Sequence, residues 1–203
     1  MIDDLQKQTD AELLARFAAG EETAFRQIVN RYKNSLYAFL KRFLNHQDLI
    51  EDVFQETFLQ LFISRDSFDT TRPLRPWLFT IAANKAKDTL RKQQRTSAIA
   101  IGTITDAEDM AFGDVLNSLT FDRKVPYDDL ERNETAGRVR KIIADMPENL
   151  REILILAYFN KFSYKQMAEI LSIPIGTVKS RLHTAVGRFS KEWKTAVGSE
   201  GTK

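Results

Sequence analysis

Apolar residues in this chain recur at intervals of three and four. Between positions 25 and 43 they are Phe25, Ile28, Val29, Tyr32, Leu36, Phe39, Leu40 and Phe43. That spacing puts all eight on one face of an α-helix, whereas a strand would scatter them over both of its sides. A helix with one long apolar face needs other helices to cover it. The same period returns in Ile50, Val53, Phe54, Thr57 and Leu61, which predicts a helix from about Asp48 to Ser64. Further helices are expected at about 134–145, 148–159, 163–171 and 177–194. "TDAE" at 9–12 matches a capping box of Thr9 with Glu12, and Gly20 suits a helix stop. No apolar–polar alternation lasts five residues, so the expected class is all-α.

Composition narrows the functions open to such a bundle. The 203 residues are 43% hydrophobic and 29% charged, which fits a folded chain of one or two domains. There is no Cys, which rules out disulfides and thiol chemistry. The two histidines, His46 and His183, stand apart and argue against a zinc site. The acidic start "MIDDLQKQTDAELL" lacks the basic and apolar regions of a signal peptide. No run approaches the roughly 20 apolar residues that span a bilayer. A cytoplasmic protein is the expectation.

The net charge of +2 hides a strong pattern. From Arg72 to Arg95 seven Lys/Arg face one Asp; from Thr96 to Thr135 nine acids face three bases; from Lys161 to Thr195 seven bases face two acids. Two basic blocks therefore flank an acidic one. The acidic block has weak periodicity, with Gly102, Gly113 and Pro126, and reads as a linker. The expected organisation is a first domain at 8–96, an acidic linker at 97–133 and a second domain at 134–196.

The segment "RPWLFTIAANKAKDTLRKQQR" at 75–95 sets a tryptophan at the head of a basic helix. At about 100° per residue, Leu78, Phe79, Ala82, Ala83, Ala86, Thr89 and Leu90 share one arc and face a core. Ile81 is a misfit. Trp77, Asn84 and Arg91, spaced by seven, nearly eclipse on the opposite side. Lys85, Lys87, Asp88, Lys92 and Arg95 flank them. An aromatic ring, an amide and cations on one face suit an unstacked base: the ring stacks, Asn reads an edge, and Lys/Arg hold phosphates. Stacking contributes about 1–3 kcal/mol per base, comparable with the cost of flipping one out of a duplex. The alternative is that Trp77 only covers the helix start beneath the loop "DTTRPLRP" at 69–76, with the cations forming a solvated face. Composition leaves both readings open.

"SYKQMAEILSIPIGTVKSRLHTAVGRF" at 163–189 has the form of a helix-turn-helix. Ser163 and Gln166 can form a capping box, and Ala168 is small where two helices cross. "SIPIG" breaks the chain, Pro174 disfavouring helix at Ile173 and Gly176 permitting an unusual backbone angle; Thr177 would cap the next helix. On that helix Val178, Leu182, Ala185, Phe189 and Trp193 share one arc, which makes Trp193 a core candidate. Thr177, Lys179, Ser180, Arg181, His183, Thr184 and Arg188 form a hydrogen-bonding front. Such a helix enters a major groove and reads base edges and phosphates. A helical hairpin with a wet face is the blander reading, and agreement of turn, small residue and polar front favours DNA.

Asp48, Glu51, Asp52, Gln55 and Glu56 lie on one side of the third helix, opposite its apolar stripe, with no base between Gln47 and Glu56 to pair with them. A solvated face and a surface docking on a basic protein partner are both open.

Taken with their order, "DLIEDVFQETFLQLF", "RPWLFTIAANKAKDTLRKQQR" and "MPENLREILILAYFNKFSYKQMAEILSIPIGTVKSRLHTAV" resemble a bacterial RNA polymerase sigma factor of the extracytoplasmic-function (ECF, group IV) type. The resemblance covers about 10–95 and 135–190. It implies a sigma region 2 helical bundle and a sigma region 4 helix-turn-helix joined by the acidic linker. It implies a non-enzymatic subunit, without metal, cofactor or small-molecule substrate, that binds core RNA polymerase and directs promoter-specific initiation. Asp48, Glu51, Asp52, Gln55 and Glu56 would dock on the β′ clamp helices, and the second domain would engage the β flap. Arg75, Trp77, Asn84, Lys85, Lys87, Asp88, Arg91, Lys92 and Arg95 would meet the −10 region and help to melt it without ATP, the loop at 67–75 helping to hold a flipped base. Lys179, Ser180 and Arg181, with Thr177, His183 and Arg188, would read the −35 element. The linker would thread towards the RNA exit path. Family members commonly have an anti-sigma factor, often membrane-anchored, so sequestration at the membrane belongs to the expectation. An ordinary helix-turn-helix regulator leaves Trp77 and the acidic face without a role. An RNA-binding antitermination protein would bind RNA and ignore duplex promoters. An enzyme would need a nucleophile–base set, a phosphate loop or a metal constellation.

One departure stands out. Where the family commonly carries "xRAR" after "GTVKSRL", this chain has "HTAV", with Thr184 and Val186 in place of the arginines. Fewer phosphate contacts predict weaker −35 binding and a flatter dependence on salt. Titration of the second domain against duplex DNA over a range of salt should give that flatter slope; a steep one counts against it.

Overall fold

The computed structural model describes residues 8–44, 46–65, 67–69, 71–96 and 134–198. The expected linker at 97–133 lies outside these residues. In chain order the helices are α1 (Asp10–Ala18), α2 (Glu22–Phe43), α3 (Gln47–Ile63), α4 (Leu74–Thr96), α5 (Glu134–Ala144), α6 (Glu148–Leu154), α7 (Tyr164–Leu171) and α8 (Ile175–Gly198). A single π-helical turn, Ile155–Phe159, continues α6. Among the described residues there is no strand, and the class is all-α. By contacts these residues divide into two compact units, one of 8–36 with 51–96 and one of 37–50 with 134–198.

In the first unit local signals set each helix end. The Thr9 side chain caps the Glu12 amide, and the Glu12 carboxylate accepts from the Thr9 amide at 2.6 Å. That backbone hydrogen bond, followed by one from the Thr9 hydroxyl, holds the Glu12 carboxyl below its usual range. Gly20 takes φ +90°, the left-handed angle at which a helix stops. Asp10 then ties α1 to α2. It pairs with Arg31 at 2.6 Å and accepts a hydrogen bond from the Tyr32 hydroxyl. Burial, reinforced by that bond, pushes the Tyr32 hydroxyl up, so it stays a donor.

The apolar stripes meet inside these helices. Phe25, Ile28, Val29, Tyr32 and Leu36 of α2 are buried, as are Val53, Phe54, Phe58 and Leu61 of α3. Phe17 stacks on Phe25 with ring centroids 4.9 Å apart, and Phe62 stands edge-on to Phe25 at 5.5 Å. Thr57 is the polar residue in this stripe; its hydroxyl donates to the Val53 carbonyl at 2.6 Å, so its burial leaves no donor unsatisfied.

The second unit follows the same logic. Ile142, Ile143, Met146, Leu150, Ile153, Leu154, Ile155 and Leu156 are buried from α5 to the π turn. The π turn was not expected, since 148–159 reads as one uninterrupted α-helix in sequence. Here the Asn160 amide reaches back five residues to the Ile155 carbonyl at 3.2 Å. The Phe162 amide then closes on the Leu156 carbonyl, and Lys161 takes φ +55° to let the chain leave the helix.

Core aromatics and surface caps should differ in cost. Phe25→Ala is expected to lower unfolding stability by about 3–5 kcal/mol, through a cavity between two rings. Thr9→Ala should cost about 1 kcal/mol, through one lost cap. Urea denaturation followed by circular dichroism measures both.

Candidate nucleic-acid interface

α4 is oriented by its small and apolar side. Leu74, Leu78, Phe79, Ala82, Ala83 and Ala86 are buried, with Pro76 in the first turn. Thr89, Leu90 and Ile81 are only partly buried, so the core-facing arc is complete at the start of the helix and opens towards its end. Asn84, Asp88, Arg91 and Lys92 are exposed on the other side. Lys87 is partly buried, as is Arg75, whose guanidinium lies 5.7 Å from the centre of the Phe79 ring. The Arg95 side chain lies outside the described residues.

Trp77 is neither core nor fully free. It is partly buried, and its ring stands edge-to-face with Phe68, the centroids 4.7 Å apart. Phe68 comes from the loop before α4, so the loop does cover part of the ring. The adjoining loop is itself ordered by Asp69, which accepts from the Thr71 hydroxyl at 2.6 Å and the Thr71 amide at 3.0 Å. These bonds, hydroxyl first, hold the Asp69 carboxyl below its usual range, with a smaller contribution from Arg72. Sequence reasoning missed Phe68; an aromatic just before a helix-starting loop is the signal that could have found it.

The acidic residues Asp48, Glu51, Asp52, Gln55 and Glu56 are all exposed along α3, opposite its buried stripe. No base lies between Gln47 and Glu56 in sequence, but one arrives from another helix. Glu56 does have a basic partner: Lys85 of α4 reaches its carboxylate at 2.8 Å. The partner lies 29 residues away, beyond the reach of a single-helix reading.

The helix-turn-helix is α7, a turn and α8. Ser163 and Gln166 form the expected capping box at the head of α7. The turn differs from expectation in its chemistry. Ser172, at φ +52° and ψ +45°, supplies the left-handed residue, and Gly176 does not. Gly176 lies inside the first turn of α8, where a Cβ would meet nothing within 4 Å. α8 starts at Ile175, ahead of the expected Thr177 cap, because the Pro174 carbonyl already accepts from the Val178 amide at 3.1 Å. Proline needs no amide partner at a helix start, so it serves as the boundary. Val178 and Ala185 are fully buried, while Lys179, Ser180, His183, Thr184 and Arg188 are exposed and Thr177 and Arg181 partly so. Trp193 is partly buried and stacks on Phe189 of the same helix, the ring centroids 6.1 Å apart, so it is not a core residue.

Two basic or polar helical faces and one acidic face are thus displayed on helices whose opposite sides are buried. The Sigma-70 region 2 family matches residues 28–96, and the Sigma-70 region 4 family matches 136–188. The ECF RNA polymerase sigma-E factor of Haemophilus influenzae is 33% identical over 180 residues, covering 89% of this chain and 93% of that protein. The ECF RNA polymerase sigma factor SigW of Bacillus subtilis is 30% identical over 164 residues, covering 81% and 86%. The chain belongs to the ECF sigma factors.

An ECF sigma factor directs promoter-specific initiation by RNA polymerase, and that is the function of this chain. A stand-alone helix-turn-helix regulator is not favoured, because it would leave the region 2 match without a purpose. A co-crystal structure of the sigma factor RpoE in complex with the anti-sigma factor NepR from Bartonella quintana aligns with a TM-score of 0.60 at 26% identity, covering 84% of this chain and 96% of that one. Among the described residues no helix is long and apolar enough to cross a membrane.

The helix-turn-helix geometry makes a specific demand at position 172. A β-branched side chain is strongly disfavoured at a left-handed angle, while glycine is not. Ser172→Val should lower the stability of the second unit by about 1–2 kcal/mol and Ser172→Gly should be tolerated, as read by thermal unfolding.

Proposed function

We propose that the exposed face of α4 captures the opened −10 strand, that the front of α8 reads the −35 element, and that the acidic face of α3 docks on core RNA polymerase. In this reading residues 8–96 act as sigma region 2 and 134–196 as sigma region 4, with 97–133 as the link between them. The observation that carries it is the orientation of α4. Its buried Leu, Phe and Ala side leaves Asn84, Arg91 and Lys92 outward, with Trp77 open in part at the head of the same face.

Each residue type then has a physical task. Trp77 stacks on an unpaired base, steadied by Phe68, and Asn84 reads a base edge. Arg75, Lys85, Lys87, Arg91, Lys92 and Arg95 hold the backbone, with Asp88 orienting Arg91 through their 3.2 Å contact. In the major groove, Lys179, Ser180 and Arg181 contact base edges and phosphates, and Thr177, His183 and Arg188 lie beside them. Asp48, Glu51, Asp52, Gln55 and Glu56 meet the basic side of the β′ clamp helices, and the second domain meets the β flap. The protein performs no bond chemistry; base capture and polymerase contacts offset the cost of strand opening. It works in the cytoplasm, and an anti-sigma factor, membrane-anchored in many family members, holds it inactive.

Run-off transcription with core RNA polymerase on pooled genomic promoter fragments tests the reading. The protein should create new start sites. Trp77→Ala with Asn84→Ala should reduce those transcripts by about tenfold or more, the equivalent of one lost stacked base. Duplex binding without core, and no new transcripts, would retire the docking and melting roles together.

A further inference from the structure

Lys85 and Glu56 stand on different helices and on the two faces given different partners above. The Lys85 ammonium lies 2.8 Å from the Glu56 carboxylate, with the two side chains 30% and 54% exposed. Asp88 and Arg91 make a contrasting pair at 3.2 Å, both within α4, so that contact travels with the helix whatever binds. The Lys85–Glu56 pair has one end on each face. A phosphate approaching Lys85 also meets the charge of Glu56. A cation approaching Glu56 also meets the charge of Lys85.

We propose that the Lys85–Glu56 ion pair is an autoinhibitory contact that couples polymerase docking to DNA capture. It rests on the assignment of α3 to polymerase and α4 to the −10 strand. In the free protein Glu56 neutralises Lys85. A basic partner surface that draws Glu56 away returns Lys85 to the DNA face with its full charge. The coupling is reciprocal, so DNA held by Lys85 also frees Glu56 for the partner. An exposed pair of this kind contributes little, so the contact biases binding and does not lock it.

The test needs no polymerase. The full chain is titrated against fluorescein-labelled single-stranded DNA of mixed sequence, by anisotropy, over a range of salt. Four proteins are compared: wild type, Glu56→Gln, Lys85→Gln and the double variant. Glu56→Gln should bind about two- to fivefold tighter than wild type, with a log–log salt slope steeper by about 0.7, one regained phosphate contact. In the Lys85→Gln background the same Glu56→Gln change should bring no gain. Equal gains in both backgrounds would mean a general effect of acidic charge and would overturn the proposal; so would the absence of any gain, including no binding at all by Glu56→Gln. Trp77→Ala with Asn84→Ala, run in the same titration, separates this from the parent reading. Lost binding in that variant alongside no gain in Glu56→Gln removes the ion-pair device and leaves α4 as the DNA face. Binding unaffected by that variant, with failed run-off transcription, removes the parent reading.

Discussion

Everything proposed for α4 depends on one packing constraint, the burial of a broad stripe made of Leu78, Phe79, Ala82, Ala83 and Ala86. Three alanines in that stripe allow a close approach of neighbouring backbone, and the two large residues fill the space at its head. Once the stripe is buried, the rotation of the helix is fixed. Asn84, Asp88, Arg91 and Lys92 can then only face outward. The face proposed for DNA is whatever the core leaves over. The same holds for α8, where burial of Val178 and Ala185 turns Lys179, Ser180 and His183 to the surface.

Much of this was legible because it is local. The three-and-four spacing of α2 predicted its buried face residue by residue, and both Ser/Thr capping boxes formed where their sequence signatures stood. What escaped was of two kinds. One kind is tertiary. The Lys85–Glu56 pair and the Phe68–Trp77 contact join segments that no helical wheel compares. The other is backbone geometry carried by residues that do not advertise it. Gly176 looked like the residue for a left-handed angle, yet Ser172 takes it, and Lys161 takes another. The turn needed its reversal directly after α7, where the Ser172 amide closes on Glu169 and the Ile173 amide on Ala168. Gly176 comes too late in the chain to serve. The π turn likewise gives no warning, because Ile155–Phe159 is as apolar and helical in pattern as the turns before it.

The net charge of +2 conceals a separation of charge over the helical faces. Acid sits on α3, base on the exposed side of α4 and on the front of α8. A protein that must meet both a basic protein surface and DNA phosphates cannot carry one sign throughout, since each partner would repel what the other attracts. The proposed assignment places the two signs on separate helical faces, which touch through Lys85 and Glu56.

The edge-to-face packing of Trp77 on Phe68 bears on the entropy of recognition. A tryptophan standing alone on a surface samples several rotamers, and a ligand that stacks on it must select one and pay for the selection. Phe68 restricts that sampling before any ligand arrives, so the ordering of the ring is part of folding and not of association. For a base that stacks on Trp77, more of the stacking energy then survives as net affinity. Under the proposed role of Trp77, the loop that carries Phe68 would influence recognition without having to touch the nucleic acid.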